Sequence, residues 1–289
     1  KAASHETGKP PPQAVATALE GIVAGPDHER VAKMLLTGDL RLVLLGALAE
    51  RHVAFAEIRS LAAALAIATG AKLGFLPEGG NAVGAAVAGA TPHRGVGGQA
   101  VANPGVSALE MLNARLRGYV LLGGIESADL APSPGIESAL QSAECVVALT
   151  PYAGQEQLAN STVILPVGAF AETSGTWVNV EGRWQSVAGA ARPPGEARPA
   201  WKVLRVLGNL LDLPGFDYLS SEDVRDEVRR ELDESSVGAT PAAGFTLGRL
   251  AAVDSSREVG IYRVDAVVRR SRPLQETHDG REDADGGRG

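Results

Sequence analysis

The chain is 289 residues long, carries a formal net charge of −7, and is 45% hydrophobic but only 4% aromatic. That length allows one large or two ordinary domains with real cores, filled by Ala, Val, Leu and Ile as in stacked layers of helix and sheet. The acidic balance, with no basic patch interleaved with aromatics, argues against a nucleic-acid partner, which demands clustered Lys and Arg to displace counterions.

The N-terminal "KAASHETGKPPPQ" lacks an initiator Met, a basic n-region and an apolar h-region, so it is no signal peptide and reads as the middle of a longer protein. "QAVATALEGIVA" and "DHERVAKMLLTG" predict helices, the second stopped by Gly38. "LRLVLLGAL" is an apolar run of strand length, and "FAEIRSLAAALAIATG" follows as an Ala-rich helix with Gly70 placed as a C-cap. "AKLGFL" is the next strand, which completes the βαβ unit of a parallel sheet. The longest apolar run, Ser60 to Leu76, is interrupted by Gly70 and Lys72 and is too short to span a bilayer, so no membrane insertion is expected.

The same logic repeats further on. "RGYVLLGG" predicts a strand, "SPGIESALQSA" a helix beginning near Ser133 and Pro134, and "ECVVALT" another strand. A "GQEQLAN" turn leads to the strand "STVILPV" and then to a hairpin around Gly182. "PAWKVLRVLGNLLDL" predicts an apolar helix. "SSEDVRDEVRRELDES" predicts a surface helix with a Ser220–Asp223 capping box and a narrow Val224, Val228, Leu232 stripe. The end turns to Gly, Ser and charge. "GIYRVDAVVRR" is expected as one short strand, docked on the chain's own sheet or bridging through Arg269, Arg270 and Arg272 to an acidic partner. "THDGREDADGGRG" is expected to be disordered. These readings divide the chain into a lead segment (1–28), a first α/β unit (29–106), a second, Rossmann-like unit with terminal helices (107–234) and an extended, partly disordered tail (235–289).

The single Cys145 lies in a predicted buried strand and reads as an inert thiol; alone it holds neither a disulfide nor an iron–sulfur cluster. Five histidines lack metal-ligand spacing, so no metal ligand and no catalytic residue is assigned. Among 35 glycines, chance motifs must be discounted. "GVGGQA" has no preceding strand and is blocked by Pro104; "GGNAVG" places Ala85 where a P-loop needs lysine. Two glycine sites remain at predicted strand ends, Gly79-Gly80-Asn81 and Gly123-Gly124, where a parallel sheet opens its ligand crevice. To these the stretch "AFAETSGTWVNVEGRWQSV" adds Glu172, Gly175, Thr176, Asn179, Glu181, Gly182 and Arg183, a polar set held between a strand and a hairpin.

The run from "GYVLLGG" through "ECVVALTPYAGQEQLANSTVILPVGAFAETSGTWVNVEGRWQ" resembles the molybdopterin oxidoreductase superfamily, whose pattern ends in E-x-x-G-T-x-x-N-x-E-G-R. Within it, "PEGGNAVGAAVAGATPHR" and "YRVDAVVRRSRPLQET" are most similar to the family of large iron–sulfur subunits of respiratory complex I, NADH-quinone oxidoreductase. The resemblance spans roughly Val31 to Thr277 and implies a Rossmann-like α/β fold of parallel sheets flanked by helices, with a hairpin and an irregular C-terminal tail. It implies a non-catalytic scaffold in the peripheral arm of a proton-pumping respiratory enzyme. That arm lies on the cytoplasmic side of a bacterial inner membrane, with the other arm subunits as partners. The family's 2Fe-2S and 4Fe-4S clusters are held by cysteines that this chain lacks, and the segment bearing a molybdenum ligand lies upstream. Related molybdenum enzymes carry G-x-N-P after the first glycine strand. Here the run is Gly124-Ile125-Glu126-Ser127, and a carboxylate at Glu126 repels a pyrophosphate, which implies a lost pterin. On this reading the glycine sites, Glu126 and the 169–187 stretch are a vestigial cleft, with Arg183 pairing to Glu172 or Glu181. The rival readings are a live, formate dehydrogenase-like molybdopterin enzyme and a free-standing interaction module.

Overall fold

In the computed structural model, the described residues are 1–50, 52, 54–126, 129, 135–232, 262–263 and 265–281. They fall into two compact units, one running from Lys1 to Glu78 and the other beginning at Gly79.

The first unit holds α1 (Ala2–Thr7), α2 (Gln13–Ala18), α3 (Pro26–Thr37), β1 (Leu42–Leu45), α4 (Ala47–Glu50), α5 (Phe55–Thr69) and β2 (Lys72–Phe75). β1 and β2 pair in parallel, Leu42 opposite Lys72 and Leu45 opposite Phe75, with α5 as the crossover. The alanines of α5 give it high helix propensity and allow close packing: Ala62, Ala64 and Ala66 are buried. Gly70 ends the helix at φ 71°, a left-handed cap that costs glycine nothing. Arg41 ties the helix ends together. Its guanidinium donates to the carbonyls of Leu36 in the last turn of α3, of Gly38 just beyond it, and of Thr69 at the end of α5, acceptors at the helix ends that lack an intrahelical partner.

The second unit contains α6 (Ala82–Val87), α7 (Ala108–Asn113), β3 (Gly118–Leu122), α8 (Ile136–Gln141), β4 (Cys145–Thr150), α9 (Gln155–Asn160), β5 (Val163–Pro166), β6 (Gly175–Val178), β7 (Trp184–Val187), α10 (Ala200–Leu210), α11 (Ser221–Glu231) and α12 (Arg272–Gln275). β3, β4 and β5 form a parallel sheet in that order, and β6 and β7 an antiparallel hairpin. Alternation along the strands places Tyr119, Leu121, Val146 and Ala148 on one face, where they bury against Leu112 of α7 and Ala139 and Leu140 of α8. Each fully buried Leu or Val side chain there contributes about 1.5–3 kcal/mol. The one polar atom Tyr119 brings into this core is satisfied twice: its hydroxyl donates to the Met111 carbonyl (3.0 Å) and accepts from the Leu116 amide (2.9 Å).

The architecture is the expected α/β arrangement of parallel sheets flanked by helices, with an added hairpin. Four local expectations are corrected. "GQEQLAN" is a helical segment, α9, and it inverts the usual polarity, burying Gln157 (3% exposed) and presenting Leu158 (63%). Cys145 is exposed rather than buried, because it is the first residue of β4, at the sheet's open rim. The "THDGREDADGGRG" end is not wholly without order: Arg281 N–H donates to the Thr277 carbonyl and closes a helical turn. The tail's expected strand is absent from its described residues. Val268–Arg270 is a 3-10 turn followed by α12, because Asp265 caps the turn through the amides of Val267 and Val268. Ser133 and Pro134, expected to open the helix at α8, lie outside the described residues, as do 233–261 and 282–289.

Candidate functional site

The carboxyl ends of β3 and β4 are where a parallel sheet presents its ligand crevice. β3 runs directly into Gly123 (φ 91°) and Gly124 (φ 76°), both left-handed. At Gly124 a side chain is excluded by space as well: a Cβ there would lie 2.9 Å from Gln157 Nε2 and 3.4 Å from Thr150 Oγ1. The backbone therefore passes close under the start of α9. Beyond β4, the Thr150 hydroxyl donates to the Tyr152 carbonyl (3.0 Å) and accepts from its amide (3.1 Å), which fixes the turn that carries the Tyr152 ring.

Into this crevice the chain inserts charge. Glu126 Oε2 accepts from Arg269 Nη1 at 2.7 Å, its Oε1 accepts from Arg270 Nη2, and Asp129 accepts from Arg269 Nη2. Gln157 Nε2 donates to Glu126 Oε1 at 3.4 Å, and the Arg270 guanidinium stacks 4.2 Å from the Tyr152 ring centroid. Side-chain exposure is 9% for Arg269 and 18% for Glu126, so these pairs are screened far less than surface ones. Burial pushes the Glu126 carboxyl upward, but hydrogen bonds from Arg270 and Arg269 outweigh it and hold the group below its ordinary value. Burial likewise works against the Arg269 cation, and hydrogen bonds to Asp129 and Glu126 overcome it, raising its pKa.

This donor set does not fit a pyrophosphate-bearing pterin. Such a ligand needs free N–H groups and unneutralised cations. Here Gly123 N–H donates to the Leu149 carbonyl (2.8 Å) and Glu126 N–H to Asp129 (2.9 Å), and two carboxylates engage both guanidinium groups.

The other sequence-derived residues form two further groups. Asn81, just before α6, reaches the hairpin: its Oδ1 accepts from Val178 N–H (2.8 Å) and its Nδ2 donates to the Thr176 carbonyl (3.3 Å). Gly79 is left-handed at φ 86°, and a Cβ on Gly80 would touch Trp177 at 3.8 Å. Asn81, Gly175 and Thr176 line a cavity of about 470 Å³, together with Leu122 at the end of β3 and the Val224 and Val228 stripe of α11. The Thr176 hydroxyl is engaged by Ser186 (2.9 Å).

The last group is a turn. Asn179 Oδ1 accepts from the amides of Glu181 (3.0 Å) and Arg183 (2.9 Å), while Gly182 sits at φ 78° with open space around it. Arg183 pairs with Glu181 at 3.8 Å, both well exposed, and not with Glu172. Glu172 is occupied locally, accepting from Ala169 N–H at 2.9 Å. Trp184 and Trp177 are half-buried, the former stacked 4.8 Å from the Arg229 guanidinium.

Sequence reasoning thus found Glu126 but missed Asp129, Tyr152 and Gln157, and it gave Arg269 and Arg270 a role only in the alternative of an external partner, not in docking on this chain's own sheet. The usable signal was there: the densest positive cluster of an acidic chain, and two acids within five residues of Gly124. Among the described residues, no three His, Cys, Asp or Glu side chains gather as a metal site. No helix among them is long and apolar enough to cross a membrane.

Comparison with known proteins gives the following. The molybdopterin oxidoreductase family profile matches residues 17–210. The NADH-quinone oxidoreductase G subunit of Streptomyces coelicolor is 31% identical over 228 residues, covering 68% of this chain and 26% of that protein. The assimilatory nitrate reductase catalytic subunit of Bacillus subtilis is 32% identical over 164 residues, covering 55% of this chain and 22% of that protein. The mitochondrial NADH-ubiquinone oxidoreductase 78 kDa subunit of Candida albicans is 52% identical over 60 residues, 20% of this chain and 8% of that protein. The chain spans about a quarter of the length of the first two relatives.

Proposed function

Because the chain belongs to the molybdopterin oxidoreductase family, we propose that it is a scaffold segment of the large iron–sulfur subunit of an NADH:quinone oxidoreductase, without a catalytic centre of its own. The carrying observation is the ion-pair cluster at the carboxyl end of β3: Glu126 and Asp129 are engaged by Arg269 and Arg270, a donor set that supports a site without a pterin pyrophosphate. Two relatives named as subunits of NADH-quinone and NADH-ubiquinone oxidoreductases support the same assignment.

On this reading the ancestral cofactor layer has become structural. Asn81 ties α6 to the hairpin, Asn179 and Gly182 fold the hairpin's turn, and the paired charges close the sheet's carboxyl end. In this proposal electrons pass through iron–sulfur centres that the single cysteine of this chain does not hold, in a peripheral arm on the cytoplasmic side of a bacterial inner membrane. The neighbouring subunits of that arm are the partners.

The similarity to a nitrate reductase catalytic subunit favours a second reading, a live molybdopterin enzyme. Affinity purification of the intact protein at native abundance separates the two. The scaffold reading expects other NADH:quinone oxidoreductase subunits in stoichiometric yield. A protein that purifies without them and reduces nitrate or oxidises formate belongs to the second reading.

A further inference from the structure

We infer that the crevice at the carboxyl end of β3 and β4 is a receptor for two consecutive arginines, filled in cis by this chain's own Arg269-Arg270. The inference does not depend on the respiratory assignment; it rests on how the crevice is built. A carboxylate pair alone would be an ordinary acidic cluster. Here two independent features accompany it, an aromatic face and a seated occupant.

Glu126 is shared by both guanidinium groups: its Oε2 accepts from Arg269 Nη1 at 2.7 Å and from Arg270 Nη1 at 3.4 Å, and its Oε1 accepts from Arg270 Nη2, so one carboxylate engages both cations. Asp129 accepts from the other terminal nitrogen of Arg269, so that guanidinium bridges two carboxylates, while Arg270 reaches both oxygens of Glu126 in the fork arrangement that distinguishes arginine from lysine. Tyr152 supplies the stacking face for Arg270, at 4.2 Å, which an ammonium group would use less well. Gln157, buried at 3% exposure, orients Glu126 from behind.

The occupant arrives from far along the chain: Arg269 is separated from Glu126 by 143 positions and from Asp129 by 140. Its local backbone is set for delivery, since Asp265 caps the turn and Arg270 Nη1 also donates to the Ala266 carbonyl at 2.8 Å. A segment so held acts as a strap across the crevice. Effective concentration in cis keeps it in place.

The test uses the full chain and a fluorescent peptide of the sequence from Tyr262 to Gln275. Peptide anisotropy is measured against wild type, the R269A/R270A double variant, and that variant carrying E126Q and D129N as well. The vacated double variant should bind the peptide saturably, with affinity falling as salt rises. Wild type, its site already filled, should bind at least about tenfold more weakly. The quadruple variant should bind no better than wild type, and a peptide with both arginines changed to lysine should lose most of its affinity. Circular dichroism confirms that each variant is folded. Equal binding by wild type and the folded double variant would overturn the inference, as would no binding by the latter or equal binding of the lysine peptide.

Discussion

Substituting Gly124 by Ala tests the closeness of the crevice, with Gly123 as an internal control. Both glycines are left-handed, at φ 76° and 91°, so alanine carries a backbone cost of about 1–2 kcal/mol at either position. They differ in what a methyl group would meet. At Gly123 nothing lies within 4 Å; at Gly124 the Cβ would be 2.9 Å from Gln157 Nε2 and 3.2 Å from its Cδ. Gln157 is buried and donates to Glu126, so it cannot swing away freely, and displacing it adds about 1–2 kcal/mol of overpacking and weakened hydrogen bonding. Gly124→Ala should therefore cost about 2–4 kcal/mol and Gly123→Ala about 1–2 kcal/mol. Urea unfolding followed by tryptophan fluorescence reads the relevant unit, because all three tryptophans (Trp177, Trp184 and Trp201) lie in the second unit. Equal costs for the two variants would refute the packing argument and leave only the backbone term.

Asn81→Ala should cost about 1–2 kcal/mol in the same assay, since it strips Val178 N–H of its acceptor and the Thr176 carbonyl of its donor. An unchanged midpoint for Asn81→Ala would mean that the α6–hairpin tie is not stabilising. The Glu126 carboxyl is held below its ordinary value in the folded chain, so its stabilisation is present above the unfolded pKa of about 4.3 and is lost as pH falls through the lower folded value. Urea midpoints for wild type should thus decline on acidification more steeply than for Glu126→Gln; parallel profiles would show that the arginine pairs contribute nothing. Gly182→Val should destabilise by about 1–3 kcal/mol through its left-handed backbone alone, as nothing crowds its Cβ position; an unchanged midpoint would mean that the turn does not require glycine. Cys145 should react with a thiol reagent in the folded chain as fast as in urea, and marked protection would contradict its exposed position.

The parts of the fold legible in the sequence are those whose cause is local. The alanine run of α5 and its Gly70 stop define the first crossover, and the Asn179-to-Gly182 turn declares its hairpin because backbone sign and side-chain acceptor lie within four residues. α9 was unreadable for a physical reason. A helix that buries a glutamine and exposes its leucine inverts the apolar pattern on which recognition depends, and the glutamine is buried to serve Glu126. Cys145 misled because a strand's apolar composition says nothing about which residue sits at its rim. In the candidate site, Gly123, Gly124 and Glu126 could be placed from strand-end logic. Their closure by Arg269 could not, since a contact across 143 positions leaves no periodicity behind. The repulsive role assigned to Glu126 was half of the arrangement; the arginines that answer it are the other half.

The metal content of the intact assembly that contains this chain is the most direct test of a scaffold role. Elemental analysis of the purified complex, with iron, molybdenum and tungsten measured on one sample against protein concentration, should find iron in stoichiometric amount. It should find no molybdenum or tungsten assignable to this subunit. One molybdenum or tungsten per chain, retained through purification and accompanied by pterin fluorescence on denaturation, would contradict that role and return the crevice to a live cofactor site.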